Sequence, residues 1–161
     1  MARVTGLGSF AVITLLVLAG LRAVHLAVPI AFPETRPGPI AIDTLDDVRR
    51  VVGFAPVIPA YHPAALGALP TRITGILSPS PMVTIVWQTP DAYLSVTTRR
   101  DRSKPPASPL ARPLADGLDA SWWFDGSRAH ALVARDSFWI EVETSLGEQE
   151  LRRFVDTLSH Y

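Results

Sequence analysis

Hydrophobic and polar residues follow three different patterns along this chain, and each predicts a different kind of element. Val4 to Leu21 is an eighteen-residue run without a charged side chain, bounded by Arg3 and Arg22. At about 1.5 Å per residue it reaches roughly 27 Å as a helix, enough to cross a hydrocarbon core if both arginines extend outward. After Pro33 the pattern changes. Leu45, Val48, Val51 and Val52 recur at helical spacing behind Thr44 and Asp47, a T-x-x-D start, and predict a helix over Leu45 to Val52 closed by Gly53. Short runs rich in Ile, Val, Thr and aromatic residues then predict strands at Thr71–Leu77, Met82–Gln88, Tyr93–Thr98, Ser121–Phe124, Arg128–Val133 and Phe138–Thr144. Ser78-Pro79-Ser80-Pro81, Thr89-Pro90-Asp91 and Asp125-Gly126-Ser127 supply the turns between them. The chain closes on a second helical period, Leu151, Phe154, Val155 and Leu158. An S-x-x-E box at Ser145 and Glu148 is expected to cap it, and it is expected to run to Ser159.

Two stretches lack a period. The proline-punctuated Phe54 to Pro63 is expected to wrap an edge without ladder bonds, and Arg99 to Pro113, with five basic residues and four prolines, is expected to be an exposed loop. The strands Thr71–Leu77, Met82–Gln88 and Tyr93–Thr98 read as an antiparallel meander, and together these elements predict an α+β domain: an antiparallel sheet with a short N-terminal helix and a C-terminal helix covering one face. The expected organisation is a membrane anchor at residues 1–32, a proline-rich linker at 33–43 and one folded domain at 44–161.

The N-terminal run has two readings. A secretory signal cleaved after Ala23 would place Leu21 and Arg22 just before the cut, a poor site, so the expectation is an uncleaved anchor, with secretion after cleavage as the alternative. A span shifted to Phe10–Phe32 would bury Arg22 and His25 near its middle and is rejected on that cost. Counting Arg3 against Arg22 and Arg36 does not fix which side the domain occupies.

Composition removes several function classes. Residues 33–161 carry thirteen Arg and Lys against fifteen Asp and Glu, which gives no general attraction to nucleic acid. The absence of cysteine excludes thiol catalysis, disulfides, cysteine zinc sites and a lipid-modified cysteine. The four histidines, His25, His62, His130 and His160, have no metal-ligand spacing, and no cofactor is expected. Ser127 sits in a hairpin turn rather than a nucleophile elbow. Glu141 and Glu143 share one strand face and could form an acid/base pair, but with Val142 as the inward residue they read as a solvated face. The chain is therefore expected to have no catalytic residues and not to be an enzyme.

Two groups suggest contact instead. Trp122, Trp123, Phe124, Phe138 and Trp139 place large rings on adjacent strands, as core or as an apolar groove, and strand parity prevents Trp122 and Trp123 from sharing one layer. Arg99, Arg100, Arg102, Lys104 and Arg112 make a basic loop that reads as solvated, with contact to anionic headgroups or an acidic partner as the alternative. Trp122, Trp123, Trp139, Arg99, Arg100, Arg102 and Lys104 form the candidate contact surface.

The segment Phe54-Ala55-Pro56-Val57-Ile58-Pro59-Ala60-Tyr61-His62-Pro63, the strands Val83–Trp87 and Tyr93–Val96, and the ending Phe138–Val142 followed by Ser145–Leu151 resemble a domain of unknown function. That domain forms the outer part of some membrane-bound anti-sigma factors and sporulation-associated lipoproteins. The resemblance implies a fold and an extracytoplasmic position for a single-pass protein, and offers no catalytic residues. Anti-sigma members carry a cytoplasmic zinc-binding segment before the membrane span, whereas Met1 to Arg3 precede it here. The implied role is an accessory outer module acting with another envelope protein; the alternative is a carrier or sensor of lipid or another apolar envelope molecule.

Overall fold

The structure is a computed structural model that describes Thr14 and residues 16–22, 38–101, 108–114 and 119–161. The chain divides into Met1–Pro37 and Gly38–Tyr161. In the first unit Thr14 and residues 16–22 are helical, and most of the Val4–Leu21 run lies outside the described residues. No helix among the described residues is long and apolar enough to cross a membrane.

The second unit is α+β. It holds an eight-stranded antiparallel sheet made of β1 (Ile40–Ala41), β3 (Arg72–Ile76), β4 (Met82–Gln88), β5 (Tyr93–Arg99), β6 (Arg112–Pro113), β7 (Ala120–Asp125), β8 (Arg128–Arg135) and β9 (Phe138–Thr144). A separate ribbon pairs β2 (Val57–Pro59) with β10 (Leu158–His160). The helices are α1 (Leu45–Val52) and α2 (Glu148–Asp156), and a 3-10 turn spans Ala64–Leu66.

The first three long strands, β3, β4 and β5, form the expected antiparallel meander, and the full sheet order is β1-β3-β4-β5-β9-β8-β7-β6, so β5 lies beside β9 and the chain after β5 reaches the far edge before returning through hairpins. Local turn signals specify hairpins but carry no information about which hairpin edges meet. Three expectations about the strands need correction. The stretch Phe54–Pro63 does form ladder bonds, because its prolines flank or end a three-residue strand whose partner comes from the C-terminus. Residues 40–42, inside the stretch read as linker 33–43, join the sheet: Ile40 and Ala41 pair with Gly75 and Thr74, and the Ile42 amide donates to the Ile73 carbonyl at 3.0 Å. Finally, Arg112–Pro113, read as loop, is an edge strand on β7.

Strand parity sorts the side chains into two faces. Val83, Thr98, Ile140, Val133 and Ala120 make one cross-strand row, Ile85, Val96, Val142, Ala131 and Trp122 the next, and Trp87, Leu94, Thr144, Ala129 and Phe124 a third. This is the packed face. The alanines at 129 and 131 are fully buried and leave room for α2, whose Leu151, Phe154 and Val155 complete the core. At the other end α1 seats Val48 and Val52 over β3 and β4, and Gly75 permits the close approach: a β-carbon there would lie 2.9 Å from a Val52 methyl and 3.0 Å from Ile42 Cδ1. The Thr44 hydroxyl caps α1 as expected, accepting from the Asp47 amide and donating to its carboxylate.

Candidate functional site

Among the described residues, both helices and the β2–β10 ribbon contact the packed face, and the opposite face of the sheet carries no second layer. It is built by the same alternation. Thr84, Thr97, Glu141, Leu132 and Ser121 form one row, flanked by Val86, Ser95, Glu143, His130 and Trp123 on one side and by Met82, Arg99, Trp139 and Ala134 on the other. Val86, Ser95 and Leu132 are buried in it, while Trp123, Trp139 and His130 are half-buried and Glu141 is exposed.

Side-chain contacts organise this open face. The Trp123 and His130 rings stack nearly parallel, 6° apart with centroids at 5.3 Å, and His130 Nδ1 is enclosed without a hydrogen-bond partner. One row further along, the Arg128 guanidinium pairs with the Glu143 carboxylate and lies 4.2 Å from the centroid of the Tyr93 ring. Its hydrogen bond to Glu143 and their opposite charges, with a smaller contribution from Tyr93, raise the Arg128 pKa above its ordinary value, so it stays a cation. In the other rows the Thr84 and Thr97 hydroxyls bond at 2.9 Å and Arg99 Nη2 lies 3.8 Å from Met82 Sδ. A depression lined by Thr97, Arg99, Leu132, Trp139 and Glu141 holds about 10 Å³, room for one water and not for an organic ligand. The chemistry of this face is that of a flat contact surface: fixed aromatic planes, hydroxyls and ion pairs in register.

Of the residues singled out from sequence, Trp123, Trp139 and Arg99 stand on this face. Trp122 stands on the packed face, edge-on to Phe124 at 5.4 Å and 5.7 Å from the Arg152 guanidinium. Arg100 lies 5.8 Å from the Phe138 ring, which packs on Phe54 at 5.1 Å. Arg102 and Lys104 lie outside the described residues. The tryptophans are thus divided between two faces rather than gathered in one groove. Glu141 and Glu143 do share the open face, with Glu143 held by Arg128. Tyr93, Arg128 and His130 are not among the contact residues singled out from sequence. The signal for His130 was available: once Trp123 is placed on β7, hairpin register puts His130 opposite it. No group of three or more His, Asp or Glu side chains suited to a metal occurs among the described residues.

Comparison with protein-family models, with curated proteins and with solved structures finds no match.

Proposed function

We propose that this chain is a membrane-tethered, extracytoplasmic, non-enzymatic binding or sensing module, accessory to an envelope signalling or regulatory protein. The observation that carries this reading is the open sheet face, which presents Trp123, Trp139, Arg99 and Glu141 on a rigid backbone while both helices crowd the opposite side. A sheet with one unlayered, aromatic-bearing face favours a macromolecular contact over a small-molecule pocket. The tether rests on the uncharged Val4–Leu21 run, and the side of the membrane on the resemblance given above. Carriage of an apolar molecule has less support, because it asks the tryptophans to line one cavity and they stand on two faces.

Site-specific photocrosslinking in intact membranes tests the reading. A photoreactive residue at Ser121 or Trp139 is expected to give a discrete adduct with an envelope protein, and one at Arg50, on the exposed side of α1, is expected to give none. Equal labelling at all three positions, or none at any, would count against it. Digestion of the domain by protease added to intact spheroplasts tests the side of the membrane, and full protection would place it inside.

A further inference from the structure

The pairing of β6 with β7 creates a surface that neither segment has alone. Arg112 is opposite Trp122 and shares its side of the sheet, Phe124 lies two residues further along that side, and Leu110 sits in the turn leading into β6. Leu110 is 70% exposed and Phe124 47% exposed, two of the most open large apolar side chains of the folded unit. They occupy the sheet margin beyond α2, where Arg152 adds a second guanidinium over the Trp122 ring. Two of the carboxylates near this edge are turned away or engaged: Asp125 sits at the hairpin end on the open face opposite Arg128, and Glu148 is held by Arg152 at 2.9 Å. Arg112 is exposed and forms none of these pairs.

We infer that this edge, comprising Leu110, Arg112, Trp122 and Phe124, docks on the headgroup region of an anionic lipid surface. The inference rests on the tethered reading above, which would keep the domain within a short reach of a bilayer so that weak docking suffices. The composition fits that occupant. Indole and phenyl rings with a leucine partition into the boundary between headgroups and acyl chains, and the exposed Arg112 guanidinium complements phosphate charge. The edge comprises four side chains, where a stable protein interface takes about 20–30 residues a side.

Full-length protein reconstituted into vesicles with brominated acyl chains tests this, using phosphatidylcholine alone and phosphatidylcholine mixed with phosphatidylglycerol. Bromine quenches nearby indoles, and the four tryptophans can be told apart by replacement. Emission is expected to be quenched more in the anionic vesicles, with the extra quenching lost in Trp122→Phe and retained in Trp139→Phe. Leu110→Ser and Phe124→Ser are each expected to lower the docked-to-undocked ratio about ten-fold. Arg112→Gln is expected to lower it about five-fold in anionic vesicles and to leave the neutral ones unchanged. All three positions are exposed, so urea midpoints should match the parent and keep the comparison free of folding effects. Vesicles that carry the chain on flotation while Trp122 stays unquenched would overturn docking and leave the tether standing. Flotation on anionic vesicles alone, abolished by Leu110→Ser with Phe124→Ser, would uphold docking and remove the tether. A chain that floats on neither removes both. Loss of a dimer in the serine variants with quenching unchanged would reassign the edge to a second copy and overturn the proposal.

Discussion

Thr98 joins the sheet to the ribbon. Its side chain is wholly buried near the end of β5, where the hydroxyl accepts from the Val57 amide at 3.1 Å and donates to the Val57 carbonyl at 3.2 Å. Val57 is itself fully buried, so both backbone groups depend on this one oxygen on that side. Thr98→Val keeps the shape and removes both bonds, and it is expected to destabilise the domain by about 2–4 kcal/mol. Thr98→Ser is expected to retain most of that stability, because the hydroxyl survives. Equilibrium urea unfolding measures both, and a loss below about 1 kcal/mol in the valine variant would mean that the ribbon draws its stability from packing instead. This role was not legible beforehand. Thr98 reads as an ordinary β-branched strand residue, and its inward direction and its partner 41 positions earlier follow only once β2 is known to lie over β5. Residues whose roles depend on their immediate neighbours, such as Thr44 and Asp47 at the start of α1, were legible.

At the scale of elements, α2 keeps its predicted period and exchanges its predicted ends. The expected cap at Ser145 does not form, because the Ser145 hydroxyl accepts from the Tyr93 amide at 2.9 Å, tying the end of β9 to β5. The cap position is Gly147, with φ 86 and ψ −178 and no side-chain hydrogen bond. That backbone region is open to glycine and strained for other residues by about 1–3 kcal/mol. Gly147→Ala is therefore expected to lower stability by about that amount, although the added methyl meets no atom within 4 Å. Gly38→Ala, equally free of contacts and without a positive φ, is expected to be neutral; the difference between their urea midpoints isolates the backbone effect. The far end shows the same competition. Leu158 continues the apolar period and is buried, yet the helix stops at Asp156 because the following residues pair with β2. Periodicity reports which face is apolar, and it cannot report that a distant strand offers the backbone better partners.

For the whole molecule, the six longer strands were legible almost residue by residue, whereas their order and the short strands β1, β2, β6 and β10 were not. Met82–Gln88 and Phe138–Thr144 coincide with their predicted bounds because turn residues delimit them, whereas the β5–β9 pairing joins residues about 45 positions apart with no local mark. That pairing decides what the open face is, since it sets Thr97 against Glu141 and Arg99 against Trp139. It also makes a direct test possible, because the chain has no cysteine to compete. Residues opposite each other in an antiparallel pair have Cα atoms about 4.5–5.5 Å apart, inside the range a disulfide spans. Thr97→Cys with Glu141→Cys is expected to oxidise readily to an intramolecular disulfide. Thr97→Cys with Ser121→Cys, on β5 and β7 and hence three strand spacings or about 14 Å apart, is expected to remain reduced. A simple meander reverses the two outcomes, since β7 would then lie beside β5. Non-reducing electrophoresis reads the result, and crosslinking in the second pair with none in the first would dismantle the face on which the proposed binding role rests.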